Sequence, residues 1–169
     1  SFGGALAQTL TQRHPERVQG VILVASFMRH PAPLLGRFIG YMLRKVPRAF
    51  LRMPIRVVGT LTMTRDLSPE KRADFYESLF AMPFEPIGER LRTLEGFDVS
   101  EGSAWKQPTL WIWGEKDRLI NFKAHRRWLH DCRRDDRWHV IPGAGHLIPR
   151  AALEVATGDI RDYLHALQA

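Results

Sequence analysis

The pattern of apolar and polar positions separates sheet-like from helix-like stretches of the chain. Residues 20–25 form a continuous apolar run, which is typical of a parallel strand buried on both faces. Residues 108–113 and 138–141 are two further stretches of strand length, and most of their residues are apolar. The order helix, strand, helical region, strand, helix, strand, helix predicts an α/β layered architecture with about three parallel strands.

Helices are predicted on both sides of these strands. The first covers residues 2–13 and is ended by Pro15, which disfavours the helical conformation of the residue before it. Its packed face is expected to consist of Ala5, Leu6, Thr9 and Leu10. Two more helices are expected at residues 123–132 and 154–167. The core positions expected in the last helix are Val155, Ile160, Tyr163, Leu164 and Leu167.

Residues 29–104 are predicted to be a helical lid inserted between two core segments, 1–28 and 105–169. Apolar residues recur there at helical spacing, and the first such stripe comprises Leu35, Phe38, Ile39, Met42, Leu43 and Val46. Pro47 and Pro54 are expected to break this helical run.

The second half of the lid has its own helix signals. Ser68 suits an N-cap and Pro69 a first helical position, so a helix is expected to start there. Its apolar stripe is Phe75, Leu79 and Met82, and a further helix is predicted over residues 86–94. An apolar pocket is expected beneath the lid, with these side chains available to line it: Leu35, Phe38, Ile39, Met42, Met53, Phe75, Phe80 and Met82.

Length and composition fit one globular domain. The chain has 169 residues, of which 44% are hydrophobic and 25% charged, and no apolar run approaches the roughly 20 residues of a membrane span. Cys132 is its single cysteine, which excludes an internal disulfide and suits a reducing compartment. We therefore expect a cytoplasmic protein without stable membrane insertion.

The net charge of +7 raises the question of an anionic partner. A nucleic-acid partner is not expected, because the chain lacks zinc-finger spacing, a ribonucleoprotein aromatic motif and lysine blocks. From Arg29 to Arg65 there are eight basic residues and no acidic one. This pattern would fit an anionic membrane or an acidic carrier protein. We prefer the plainer interpretation, in which arginine stems cover apolar surface and their charges stay in water.

Four short motifs occur in a recognisable order. They are Ser1-Phe2-Gly3-Gly4, the segment His14-Pro15-Glu16-Arg17-Val18 before a buried strand, Trp113-Gly114-Glu115-Lys116-Asp117, and Gly143-Ala144-Gly145-His146. Together they resemble the carboxyl-terminal half of an α/β-hydrolase, starting at the nucleophilic serine. The resemblance covers the chain apart from the lid. It implies a partial α/β-hydrolase fold and a serine hydrolase of the esterase type.

The resemblance assigns Ser1 as nucleophile, Asp117 as acid and His146 as base, with the backbone N–H of Phe2 in the oxyanion hole. A serine hydroxyl needs an imidazole to take its proton, and a carboxylate must hold that imidazole in the right tautomer. Asp117 and His146 each follow a predicted strand, and the carboxyl ends of parallel strands meet at one edge of a sheet. The chain order Ser, Asp, His is the order of this fold.

Other roles remain open for the same residues. Ser1 could be a helix N-cap or, less consistently with the helix that follows, a nucleophile that uses its own amine as base. Asp117 could cap the next helix, and Glu115 could compete for the acid role. His146 follows Gly-x-Gly after a strand, a pattern with few structural uses.

The resemblance implies an ester substrate with an apolar acyl or alcohol part, cleaved through an acyl-enzyme, and no cofactor or metal. Thioesters, lactones, amides and carbon–carbon bonds stay open as substrates. The alternative of a different class is a catalytically inactive fragment or a basic binding module on the same scaffold. If residues 21–25 form an unpaired sheet edge, we expect the chain to self-associate.

Overall fold

The computed structural model describes residues 2–30, 32–99, 105–123, 125–126 and 136–168. Within them, β1 (Val21–Val24), β2 (Thr109–Gly114) and β3 (Arg137–Ile141) form a parallel sheet in the order β1-β2-β3. All six residues of β2 are buried, as expected of a central strand covered on both faces. The predicted α/β class with three parallel strands is confirmed.

Helices flank the sheet and fill the interval between β1 and β2. They are α1 (Phe2–Arg13), α2 (Pro33–Lys45), α3 (Arg48–Gly59), α4 (Pro69–Ala81), α5 (Glu85–Thr93), α6 (Arg150–Leu153) and α7 (Thr157–Ala166). Single turns of other types lie at Pro15–Arg17, Thr60–Thr64 (a π-helical turn) and Glu154–Ala156. The predicted helix over residues 123–132 falls largely outside the described residues, as does Cys132.

Two clusters of buried side chains lie on opposite faces of the sheet. One contains the stacked rings of Trp111 and Trp113, whose centroids are 5.1 Å apart, together with Leu23. The other contains Ile112 and Tyr163. Successive side chains of β2 point alternately into the two clusters. The strand therefore packs against the helices on both faces of the sheet.

Helices α2–α5 are called the helical segment below. Where this segment joins the core, two short stretches of chain run antiparallel and hydrogen-bond to each other. The backbone N–H of His30 donates to Phe97 O at 3.1 Å, and that of Val99 donates to Met28 O at 2.9 Å. Arg29 and Asp98 form the bridge between the two stretches. The segment therefore leaves and rejoins the core at one narrow point.

The packed face of α1 differs from the prediction. The buried residues are Ala5, Gln8 and Thr11, whereas Leu6 and Leu10 are exposed. The Gln8 amide donates to the carbonyl of Phe27 at 2.9 Å. The buried carbonyl of Phe27 needs a hydrogen-bond donor. This requirement turns Gln8 toward the core in place of the apolar Leu6 and Leu10.

The predicted helix break at Pro54 is also wrong, because Pro54 lies inside α3. A proline there leaves the carbonyl four residues earlier, that of Phe50, without its helical donor. Phe50 is on an exposed side of the helix, where solvent can hydrate that carbonyl. Pro47 does end a helix, since it separates α2 from α3.

The remaining helix predictions are partly correct. Ser68 caps α4 through a 3.3 Å hydrogen bond from Lys71 N to its hydroxyl. In α7, Tyr163 is buried and Ile160 packs against the core, but Leu164 is exposed, as is Val155 in the turn before it. None of the helices in the described residues is long and apolar enough to cross a membrane.

Candidate active site

The turn after β2 holds Asp117 in a fixed orientation. Asp117 N donates to Gly114 O at 3.1 Å, which closes the turn. Its Oδ1 accepts the backbone N–H groups of Leu119 and Ile120, both at 2.9 Å. The carboxylate is therefore positioned by backbone donors and keeps Oδ2 available for a further partner.

The loop after β3 carries His146 and is attached to the turn after β2. Glu115 N donates to Ile141 O at 3.0 Å, and Lys116 N donates to Ala144 O at 2.8 Å. Gly143 allows the loop to fold back, since its φ of 71° lies in the region that favours glycine. These bonds join the two strand ends into one rigid unit.

Gly114 makes this close approach possible. A methyl group on its Cα would lie 2.3 Å from Gly145 O and 2.4 Å from Ala144 O. Any side chain at this position would push the histidine loop away from the end of β2.

Asp117 and His146 meet as a buried hydrogen-bonded pair. His146 Nδ1 lies 2.9 Å from Asp117 Oδ2, and the two side chains are 4% and 0% exposed. A carboxylate only accepts, so Nδ1 carries the proton of this hydrogen bond, and in the neutral tautomer that makes this bond the lone pair is on Nε2. The arrangement can hold an imidazole ready to take a proton at Nε2.

Glu115 has a different partner. Its Oε2 accepts the backbone N–H of Gly143 at 2.8 Å, which braces the loop in front of His146. The carboxylate bonded to the imidazole is therefore that of Asp117. Ser1 lies outside the described residues, so its nucleophilic role stays a prediction.

Phe2 opens α1 at the same edge of the sheet as Asp117 and His146. The first N–H groups of a helix have no partner within the helix, which leaves the Phe2 N–H available. Gly4 packs so closely on Ser26, at the carboxyl end of β1, that a methyl there would lie 2.0 Å from its hydroxyl. Ser26 O in turn accepts the indole N–H of Trp113 at 3.0 Å. The start of α1 is thus held against two strand ends.

The model of the alpha/beta hydrolase fold matches residues 1–149. The chain belongs to the alpha/beta hydrolase fold family. It is 25% identical over 173 residues to YugF, an uncharacterized hydrolase of Bacillus subtilis, and covers 63% of that protein. It is 26% identical over 136 residues to the pimeloyl-[acyl-carrier protein] methyl ester esterase of Shewanella woodyi and covers 51% of it. These alignments include 97% and 71% of the chain.

Solved structures of hydrolases share the fold. The enol-lactonase from Burkholderia xenovorans matches 98% of the chain with a TM-score of 0.79 at 20% identity. The thermophilic esterase from Thermogutta terrifontis matches 99% with a TM-score of 0.76 at 21% identity. The chain covers 63% of each of those two chains. At this identity the likeness shows the alpha/beta hydrolase architecture.

The helical segment contacts this hydrolase-fold core beside two of the predicted site residues. Asp66 lies against the histidine loop, where a methyl on Gly145 would be 2.7 Å from its Oδ2. Arg90 of α5 lies over the ring of Phe2, with 5.8 Å between its guanidinium carbon and the ring centroid. Sequence reasoning did not find either residue, because both contacts depend on how the segment packs.

His125 is a further residue near the site that the sequence did not single out. Burial lowers the pKa of His125, and this effect is opposed by its hydrogen bond to the Asn121 carbonyl and by the charge of Asp117. Within the described part of the chain, no three His, Cys, Asp or Glu side chains are grouped closely enough to hold a metal ion.

Proposed function

We propose that the protein is a serine hydrolase that cleaves a carboxylic ester with an apolar group. Ser1 would attack the ester carbonyl, and His146 would take the serine proton at Nε2 and return it to the leaving alcohol. Asp117 would keep the imidazole in the Nδ1–H tautomer. Water activated by the same histidine would then hydrolyse the acyl-enzyme.

The observation that carries this proposal is the buried hydrogen bond between Asp117 and His146. Two backbone N–H groups fix the carboxylate, so the imidazole cannot turn without losing its hydrogen bond to Asp117 Oδ2. A pair with this degree of burial and orientation has little use as a surface ion pair, because its charges are shielded from water. It suits a base that must be positioned before the substrate arrives.

The oxyanion of the tetrahedral intermediate would be stabilised by the Phe2 N–H. This donor is at the positive end of a 12-residue helix, where a developing negative charge is favoured. One such donor is worth on the order of 3 kcal/mol of barrier in related chemistry.

The helical segment would act as a lid over this site. Its contacts at Gly145 and Phe2 place it beside both the histidine loop and the proposed oxyanion donor. The eight apolar residues predicted to line a pocket do not gather around one in the described structure: Ile39, Met42 and Phe80 pack in a cluster inside the segment, Phe75 is half-buried, and Leu35, Phe38, Met53 and Met82 are exposed. The apolar acyl or alcohol group of the substrate is therefore proposed from the family resemblance alone.

Covalent labelling tests the proposal directly. A fluorophosphonate probe should label the wild-type protein, and Ser1→Ala should remove the label. Ser78→Ala, at an exposed serine of α4, is the matched control and should label like the wild type. Hydrolysis of p-nitrophenyl butyrate should follow the same order.

Labelling of Ser1→Ala at the wild-type rate would disprove the assignment of the nucleophile. Absence of both labelling and hydrolysis in the wild type would favour the alternative, a catalytically inactive binding module on this scaffold. Where the chain forms part of a longer polypeptide, that polypeptide is the one to assay.

A further inference from the structure

Helix α5 carries Arg90 on the side that faces the core. Leu94, the C-cap of this helix, follows Arg90 by four residues and therefore lies on the same side. Leu94 is buried in the core cluster against which Phe2 packs. The burial of Leu94 thus explains why the Arg90 guanidinium reaches the Phe2 ring, with 5.8 Å between the guanidinium carbon and the ring centroid.

No carboxylate neutralises Arg90 in the described part of the chain. The neighbouring acid, Glu89, bonds instead to Arg44 at 3.1 Å and to Arg92 at 2.9 Å. The Arg90 side chain is exposed. A guanidinium that lies over a ring keeps the N–H donors at its edge. Arg90 is therefore able to bind an anionic group next to Phe2 through paired hydrogen bonds.

The opposite charge is held at the histidine loop. Arg72 clamps the turn that carries Asp66, because its guanidinium donates to three backbone carbonyls at distances between 3.0 and 3.2 Å. These carbonyls belong to Thr64, Arg65 and Leu67. The clamped turn holds the Asp66 carboxylate against Gly145, which directly precedes His146. A negative charge is thus fixed beside the proposed base.

The two charges lie on different sides of the proposed reaction. The alcohol part of the ester would leave with the proton from His146, so it would lie on the side of the histidine loop and Asp66. The acyl part would stay bonded to Ser1, which is followed in the chain by Phe2 and hence lies on the side of Arg90. A negative group would be repelled on the alcohol side and attracted on the acyl side.

We propose that Arg90 binds a carboxylate at the far end of the acyl part of the substrate. The inference rests on the proposed function and narrows it to esters that join one end of a dicarboxylic acid to a neutral alcohol. A carboxylate is the matching anion, because a single guanidinium binds its two oxygens through parallel N–H groups.

Two charged esters derived from ethyl butyrate test the proposal. Ethyl hydrogen succinate has a carboxylate in place of the terminal methyl of the acyl part, and carboxymethyl butyrate has one in place of the terminal methyl of the alcohol part. Ethyl hydrogen adipate and ethyl hexanoate form a longer matched pair. In pH-stat titration, kcat/KM for the succinate or the adipate ester should exceed that of its neutral counterpart about tenfold, the lower range for hydrogen bonds to a charged group.

Arg90→Gln should reduce this preference about tenfold. The change should appear in KM, because the carboxylate is bound equally in the ground state and the transition state. Arg90→Lys keeps the charge without the paired donors and should retain a preference of about threefold. Arg161→Gln, at an exposed arginine of α7, is the matched control and should leave the preference as in the wild type.

Asp66→Asn tests the alcohol side. It removes a like charge from beside carboxymethyl butyrate, so kcat/KM for this ester should rise about threefold relative to ethyl butyrate. The preference for the succinate or adipate ester should not increase. A rise of equal size for both kinds of charged ester would contradict the assignment of the two sides.

Two results would overturn the role of Arg90. One is a wild-type preference for the neutral ester in both matched pairs. The other is a preference that persists in Arg90→Gln, or that Arg90→Lys loses as fully as Arg90→Gln with an equal fall in melting temperature, since Arg90 would then only pack on Phe2. In either case hydrolysis of the neutral esters leaves the proposed function intact. Absence of fluorophosphonate labelling and of hydrolysis of every ester would refute the proposed function, and this inference with it.

Discussion

Among the described residues, two imidazole–carboxylate pairs join different elements of the core and differ in their burial. His146 and Asp117 lie at the carboxyl ends of neighbouring strands and are almost completely buried. His139 of β3 bonds to Asp159 of α7, whose side chain is 51% exposed. In the second pair no backbone donor to Asp159 is found among the described residues, whereas Asp117 accepts two backbone N–H groups as well as the imidazole N–H.

The difference teaches what the chemistry requires of such a pair. A half-exposed carboxylate can be replaced by water as partner of the imidazole, so its contribution is that of a surface ion pair. A buried carboxylate held by the backbone determines the tautomer of its histidine at all times. The contrast predicts that equal substitutions in the two pairs have very unequal effects.

The largest effect is expected for Asp117→Asn. The amide oxygen should replace Oδ1 as acceptor of the two backbone N–H groups, which turns the amide NH₂ toward His146 Nδ1. The imidazole would then carry its proton on Nε2 and could not act as base, so kcat for p-nitrophenyl butyrate should fall about 10⁴-fold.

The matched change in the other pair is Asp159→Asn, which should alter kcat less than twofold. The melting temperature of both variants should be measured in parallel, because an unfolded Asp117→Asn would not test the argument. Similar losses of kcat in both variants would contradict the contrast between the two pairs.

A second effect should appear at Gly114, on which the buried pair depends. Gly114→Ala places a methyl 2.3 Å from a backbone carbonyl, and backbone cannot yield as a side-chain end can. We expect a loss of about 3 kcal/mol in the free energy of unfolding, the upper range for overpacking. Chemical denaturation measures it.

Gly158→Ala is the control for this change. Gly158 lies in α7 beside the exposed pair, and a methyl there would meet nothing within 4 Å. Its stability should stay equal or rise by up to about 1 kcal/mol, because alanine favours a helix. Equal destabilisation by both substitutions would mean that the strand ends tolerate a wider separation.

Much of the fold could be predicted from the sequence, because strand-length apolar runs and helix signals are local. The three strands, the helix over residues 2–13 and the N-cap at Ser68 needed no knowledge of distant residues. The face of α1 could not be predicted, since Gln8 is buried to donate to a carbonyl of the loop after β1. The helical course through Pro54 likewise depends on its exposed position.

The candidate site could be predicted from the sequence only through the rule that the carboxyl ends of neighbouring parallel strands lie close together. That rule placed Asp117 and His146 together, and the distance between them agrees with it. It could not decide between Glu115 and Asp117, because both follow the same strand. Which of the two carboxylates bonds to His146 depends on the loop that contains Gly143, because the N–H of Gly143 donates to Glu115 Oε2. Asp66 and Arg90 reach the site through packing of the helical segment, for which the sequence has no local signal.

A smaller effect on stability is expected at Tyr163, the buried side chain of α7. The hydroxyl of Tyr163 donates to Pro108 O at 2.7 Å and accepts from Val21 N at 2.8 Å. Tyr163→Phe should cost about 1 kcal/mol, because Val21 N keeps a second acceptor in Pro108 O. Thermal unfolding should show a decrease of about 2–4 °C, and Tyr41→Phe, at an exposed tyrosine, should show none.

His30 sharpens the comparison, since it is half-buried and no carboxylate of the described residues bonds to its ring. His30 Nδ1 accepts the N–H of Ala32 at 3.1 Å, which requires a neutral ring, and burial lowers the pKa of His30 below its ordinary value of 6.5. Below pH 6.5 the unfolded chain therefore binds a proton that the folded chain does not, and stability falls with pH by at most about 1.4 kcal/mol per pH unit. Denaturation between pH 7.5 and 5.5 should show a shallower decline in His30→Gln than in the wild type. An unchanged decline would mean that His30 takes up its proton without disturbing the start of α2.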